Sequence, residues 1–261
     1  MAGDALIWPR DYRGRLAAVV LHFGDPRRTA QVVEQLRRGA APETVRVLDN
    51  AAPQPFPDPW VRLPENLYWG GALAWTVARL RDEGYSHVWF LNDDVTFLTP
   101  TPVPTAWMRL GEIQALVGRV AVYSPAWTAH PYHPQMVVRL GGNFRCVRFC
   151  DGAALLVHLG YVVESQVAWE DNPAGYGVDV VLSGKASCLG WKVVVDDRLL
   201  ARHLFHASAR KDPGFLHWAA QLEAAYLTRH LGPDFRQVIQ RWASEEENDL
   251  WISDPRGRFR K

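Results

Sequence analysis

The sequence predicts an α/β fold: a mostly parallel central sheet flanked by helices, with a helical extension at the C-terminus. Two observations predict it. Over the first hundred residues, short β-branched runs alternate with runs of helical period, the signature of parallel strands joined by right-handed crossovers. From Pro213 onward the pattern turns helical throughout. The 261 residues, 48% of them hydrophobic and 22% charged, supply enough apolar material for one large core.

The elements follow in order. Residues 16–21 (LAAVVL) read as a buried strand, and Pro26 opens a helix to about residue 38. Residues 44–48 (TVRVL) form a second strand ending in Asp49-Asn50. A Pro-rich loop, AAPQPFPDP, leads to a short strand at 60–63, and Gly70-Gly71 precede a helix through about Asp82. Residues 87–91 (HVWFL) are a further strand, ending in Asn92-Asp93-Asp94. The second half is less regular. Strands are expected at 145–150 and 153–158, a helix at 179–189, and a strand at 192–195 (KVVV) with Asp196-Asp197 after it. Helices at 215–231 and 235–243 are broken by Gly232-Pro233. The division expected is an N-terminal extension (1–15), a main domain (16–210, its two halves meeting at residue 100), and C-terminal helices with a basic tail (211–261).

That order has a consequence for function. Ligands of open parallel sheets bind outside the carboxyl ends of the strands. His22-Phe23, Asp49-Asn50 and Asn92-Asp93-Asp94 each follow such an end, so three polar clusters converge on one edge. The composition narrows the classes further. A net charge of +1 lacks the footprint of a duplex-binding protein. Cys146, Cys150 and Cys188 form no CxxC pair and lack partners at zinc spacing, so they read as reduced thiols. No run approaches the ~20 apolar residues of a membrane span, and the N-terminus has no apolar signal core. The compartment expected is the cytoplasm. Twelve tryptophans are many. Most should be core, while Trp69, Trp127 and Trp169 lie in or beside loops where they could stack on a ring.

The run LNDDV places two carboxylates together at a buried strand end, which is costly without a compensating cation or donors. Mg²⁺ or Mn²⁺ compensates well, taking one or two carboxylates plus substrate phosphates. The bland reading is a solvated turn, and Asp196-Asp197, after another apolar strand, shows how ordinary such a pair can be.

Taken together, AVVLHFGDP, VRVLDNAA, PENLYWGGALAWTVARL and HVWFLNDDV resemble, in order and spacing, glycosyltransferase family 2, including its rhamnosyltransferase-like branch. The likeness covers Leu16 to His203 and implies a GT-A fold. It also implies an inverting, metal-dependent transfer of a sugar from a UDP- or dTDP-type nucleotide-sugar to an acceptor hydroxyl. Carried onto this chain, Phe23 would lie near the base and Asp49 would accept a hydrogen bond from it. Asn66, Gly70 and Gly71 would let the backbone and a helix N-terminus approach the donor, with Asn92 and Asp93 beside it. Asp94 would be the main ligand of Mn²⁺ or Mg²⁺, with His203, after RLLARH, as a second and His206 as a weaker alternative. Asn92 stands where the motif's first carboxylate is usual.

In the acceptor half, counting back from Gly190-Trp191 puts Asp179 at the family's base position, with Val178 replacing the usual Glu. Asp171, in Trp169-Glu170-Asp171, is the runner-up. Either could instead be a helix N-cap. The chemistry needs one carboxylate to take the acceptor's proton as its oxygen attacks the anomeric carbon. Asp151, Trp169 and Glu170 are expected beside the acceptor. That acceptor is open among a glycan, a lipid-linked glycan, a natural-product aglycone and a modified base. The C-terminal helices could pack on the domain or form a homodimer. Two other classes remain: a sugar nucleotidyltransferase, for which LHFGDPRR is a poor phosphate loop, and a non-catalytic nucleotide-sugar or carbohydrate-binding module with a decayed site, suggested by Asn92 and Val178.

Overall fold

A computed structural model of the chain describes residues 14–169, 171–204 and 212–244. The expected basic tail, Glu170 and His206 lie outside them. The described residues form a mixed α/β fold, a central nine-stranded sheet flanked by seven helices. The strands are β1 (Leu16–His22), β2 (Val45–Asp49), β3 (Val61–Arg62), β4 (His87–Asn92), β5 (Val95–Phe97), β6 (Val120–Trp127), β7 (Phe144–Cys146), β8 (Ala154–His158) and β9 (Lys192–His203). The helices are α1 (Pro26–Arg37), α2 (Tyr68–Asp82), α3 (Pro102–Val117), α4 (Leu159–Ser165), α5 (Val178–Cys188), α6 (Pro213–Leu231) and α7 (Phe235–Ser244).

The sheet runs β3-β2-β1-β4-β8-β6-β9-β5, with β7 also on β9. Its first half is parallel: β1 pairs with β2 and β4, and β2 with β3. Every residue of β1 (LAAVVLH) is buried, as expected of a strand covered on both faces. Beyond β4 the sheet becomes mixed, because β8 lies antiparallel between β4 and β6 while β6 and β9 are parallel. Register aligns the strand ends that matter. His22 is opposite Asp49 and Leu21 opposite Asn92, so the first three polar clusters share one edge.

Local chemistry sets the boundaries. Asp25 caps α1 by accepting from the Arg27 N–H, and Pro26 supplies the helix's first residue. Helix α2 begins earlier than expected, so Gly70 and Gly71 lie within its first turn rather than before it. The second half holds elements the sequence pattern did not reveal: β5, α3, β6 and α4. Strand β9 is one twelve-residue strand that takes in both KVVV and RLLARH, with Asp196-Asp197 between them. Asp196 and Asp197 sit inside it because each has its own guanidinium. Arg109 reaches both oxygens of Asp196 at 3.0 and 3.1 Å, joined by the Tyr123 hydroxyl at 2.7 Å. Arg145 binds Asp197 at 3.0 and 3.2 Å. Cys146 and Cys150 are buried, and Cys188 is exposed.

The C-terminal helices close onto the domain. Leu227 of α6 packs where a side chain on Gly177 would stand, within 3.0 Å, and Gly177 holds φ +79°, which glycine tolerates without strain. No helix among the described residues is long and apolar enough to cross a membrane.

Candidate functional site

A cleft of about 1230 Å³ opens at the carboxyl edge of β1 and β4, roofed by α6 and α7. Of the residues singled out from the sequence, Phe23, Asn66, Asn92, Asp93, Asp94, Asp151, Asp179 and His203 line it. These come from both halves of the chain. Each strand-end cluster reaches the cleft through Phe23, Asn50 or Asn92-Asp93-Asp94, whereas His22 and Asp49 are buried and do not line it.

Strand pairing builds the Asp94–His203 contact. β5 and β9 run antiparallel with Val95 opposite His203, which brings Asp94 beside the end of β9. His203 Nε2 lies 2.9 Å from Asp94 Oδ1, and the Leu204 N–H donates to the Asp94 carbonyl at 3.2 Å. Trp127, fully buried, lies behind the imidazole with ring centroids 5.6 Å apart. It is a core residue, not a platform. The neighbouring Asp93 accepts from the Gly24 N–H at 3.3 Å. Burial raises its pKa, against the lowering effect of Arg28. Asn92 accepts from the Trp69 indole N–H at 3.1 Å, so its amide orients a ring that itself lines the cleft. Among the described residues no group of three or more His, Cys, Asp and Glu side chains could hold a metal ion.

Beside this site, Asp179 and Asp151 accept from two successive peptide N–H groups. The Gly152 N–H donates to Asp179 Oδ2 at 2.8 Å, and the Ala153 N–H donates to Asp151 Oδ1 at 2.8 Å. Asp179 stands in the first turn of α5 and also accepts from the Val180 N–H at 2.9 Å. Burial, then the Asp151 charge, push Asp179 up to about 8. Burial also acts to raise Asp151, but hydrogen bonds from His130 and from the Ala153 N–H oppose it, and Asp151 is brought to about 2. His130 Nδ1 accepts the N–H of His133 at 2.9 Å, which assigns the proton to Nε2 and makes that nitrogen the donor to Asp151 Oδ2 at 3.2 Å. Asp151 therefore ties the loop carrying Tyr132 and His133 to the cleft wall. The two carboxylates are pushed to opposite protonation states at neutral pH.

Several expectations are corrected by placement. Asp49 is fully buried and does not line the cleft. Its carboxylate accepts from the Ala52 and Phe56 N–H groups, both at 2.9 Å, and from Arg62 at 2.7 Å. It pins the Pro-rich loop to the sheet. Gly70 and Gly71 admit the protein's own backbone: the Gly70 N–H donates to the Pro173 carbonyl at 2.9 Å, and a Cβ there would meet the Asn172 carbonyl oxygen at 2.5 Å. Neither glycine lines the cleft. Trp169 is buried in the core, and Asp171 lies outside the cleft with its carboxylate on Arg229. The segment that was to carry the runner-up base is a support for α2 and α6.

Other lining residues had no role assigned from the sequence. Asn50, next to Asp49, accepts from the Leu67 N–H at 2.9 Å and donates to Asn66 at 2.8 Å, bracing the approach to α2. Tyr68, Tyr176, Phe215, Trp218, Glu223 and Arg236 also face the cleft. The aromatic residues could have been suspected from the tryptophan count and the i, i+3 spacing of Phe215 and Trp218. Glu223 carried no signal.

No family model matches the chain, and no curated protein matches it. Solved structures do share its fold. The mannosyltransferase PcManGT from Pyrobaculum calidifontis, in complex with GDP-Man and Mn²⁺, aligns with a TM-score of 0.54 at 11% identity over 88% of this chain. The chain spans 65% of that protein's length. A mycobacterial protein aligns with a TM-score of 0.51 at 13% identity, over 84% of this chain and 75% of its own. At these identities the likeness is one of fold, and the fold is similar to that of a glycosyltransferase.

Proposed function

We propose that the protein transfers a sugar from a nucleotide-sugar donor to an acceptor hydroxyl, with inversion and with the help of a divalent cation. One observation carries the reading: the cleft faces Asp94 with His203 on one wall and Asp179 on another. A carboxylate suits Mn²⁺ or Mg²⁺, and the imidazole beside it would be a second donor. Such ions commonly take few protein ligands and complete their shell with phosphate oxygens, which fits a site whose described residues supply two. When bound, the cation would offset charge on the departing diphosphate. The mannosyltransferase of similar fold, complexed with GDP-Man and Mn²⁺, supports both ligands.

In this reading Phe23 and the Asn50–Asn66 pair border the nucleoside end. Trp69, held by Asn92, borders the sugar. Asp179 takes the acceptor's proton as that oxygen attacks the anomeric carbon, and the Gly152 and Val180 N–H groups orient its carboxylate. Asp151 anchors the loop beside it and, through its negative charge, keeps Asp179 basic once ionised. Among the described residues that line the cleft, carboxylates outnumber the single Arg or Lys, Arg236, so a cation would ease the entry of an anionic donor.

The test is a donor screen: hydrolysis and transfer with common nucleotide-sugars, with Mn²⁺ and after chelation. Turnover of one donor that stops on chelation supports the reading. Tight donor binding without turnover on any acceptor would favour a binding module instead.

A further inference from the structure

The wall contributed by α6 is used neither by the donor nor by the base, and its chemistry is specific. Tyr68, at the first position of α2, holds φ 54°, a left-handed conformation that a tyrosine adopts only when its surroundings impose it. Asn66 and Asn50 impose it. The Tyr68 N–H donates to Asn66 Oδ1 at 2.8 Å, and Asn50 Nδ2 donates to the Tyr68 carbonyl at 3.2 Å. The ring is thereby presented to the C-terminal hairpin. It stacks on Phe215 at 5.7 Å and 12°, and tilts against Trp218 at 4.9 Å. Tyr176 approaches Phe215 from the far side at 6.3 Å. All four rings are part-exposed in the cleft.

Two polar groups interrupt this aromatic wall. Burial pushes the Tyr176 hydroxyl up to about 12, so it remains a donor. Glu223, on the cleft side of α6, is close enough to influence Asp179 electrostatically. A molecule whose hydroxyl reaches Asp179 would therefore rest its body against Trp218 and Glu223. A flat C–H face over aromatic rings, with hydroxyls at its edge, satisfies both kinds of surface. An acyl chain would offer the part-buried Glu223 carboxylate no donor, which is unfavourable.

We infer that Tyr68, Tyr176, Trp218 and Glu223 form an acceptor subsite for a sugar ring, with Glu223 accepting from its hydroxyls. The inference rests on the proposed function only for the direction in which the acceptor points.

Saturation-transfer NMR with a panel of methyl pyranosides tests it, run on the parent protein, Trp218→Ala and Glu223→Gln, with octyl phosphate as the lipid-like probe. UDP and GDP binding with Mn²⁺ is measured on the same samples. At least one pyranoside should bind the parent. Its affinity should fall roughly threefold to tenfold in each variant, with nucleotide affinity unchanged. Glu223→Gln keeps the shape of the wall, so it decides the matter if Trp218→Ala disturbs folding. Binding of no pyranoside, binding insensitive to Glu223→Gln, or preferential binding of octyl phosphate that depends on Trp218 overturns the subsite. Failure of UDP and GDP to bind the parent while a pyranoside still binds would sink the transferase reading and leave the subsite standing.

Discussion

Asp151 and Asp179 are held by neighbouring peptides, Asp179 by the Gly152 N–H and Asp151 by the Ala153 N–H, each at 2.8 Å. Two carboxylates so placed cannot both ionise cheaply. Asp151, bound to His130, stays ionised, and Asp179 is raised to about 8 by burial and by that charge.

A pH dependence follows, with a definite sign. A base acts only when ionised, so kcat/KM of the free enzyme should rise with pH and level off above about 8. Asp151→Asn removes the like charge beside Asp179 and should move this limb to lower pH. A pH–rate profile of both proteins checks it. An unchanged limb would mean that another group is the base.

Asp179→Asn should lower kcat by about a hundredfold or more, the usual worth of a general base, while leaving nucleotide binding intact. Asp171→Asn should leave kcat unchanged, because its carboxylate is on Arg229, away from the cleft. Steady-state kinetics of the two variants separate the candidates directly.

The two Asp-Asp pairs should behave in opposite ways. Asp196→Ala removes the bidentate partner of buried Arg109, which keeps only Glu112 and Asn143, and should cost about 3 kcal/mol of stability. Asp49→Ala, which frees two backbone N–H groups and Arg62, should also destabilise, by about 2–4 kcal/mol. Asp94→Ala should abolish metal-dependent binding with a smaller change in melting. Urea titration of each variant gives the comparison.

Why one pair is structural and the other faces a cleft was not readable from local pattern. Both follow apolar strands, and only Arg109 and Arg145, 87 and 52 residues away in sequence, distinguish them. The parallel half of the sheet was legible because β1, β2 and β4 are largely buried apolar runs with strong punctuation at Pro26, Asp49-Asn50 and Asn92-Asp93-Asp94. In the second half, strand β6 (VAVYSPAW) carries a proline and pairs irregularly, so its pattern was masked. Asp94, His203 and Asp179 were proposed from motifs whose order and spacing carry the resemblance, and all three line one cleft. Asp49, Gly70 and Gly71 were expected to serve the donor. Yet the partner that constrains them is the protein's own chain, and only packing shows that.

At the opposite end of the sheet, His87 and His158 pack edge to face with centroids 4.6 Å apart. Burial lowers both, His87 to about 3. Unfolding releases them to take up protons near pH 6.5, so stability should fall as pH drops from about 6.5 toward 3. Replacing His87 with Gln should flatten that fall. Thermal melts across this range test it.

The account turns on a cation and a diphosphate meeting at Asp94 and His203. Calorimetry of UDP and GDP with the parent protein and Asp94→Asn, each with and without Mn²⁺, measures this most directly. At least one nucleotide should bind the parent about tenfold or more tightly with Mn²⁺, a coupling of about 1.4 kcal/mol, and the gain should vanish in Asp94→Asn. Equal affinity with and without Mn²⁺, or a gain that survives in Asp94→Asn, would contradict it.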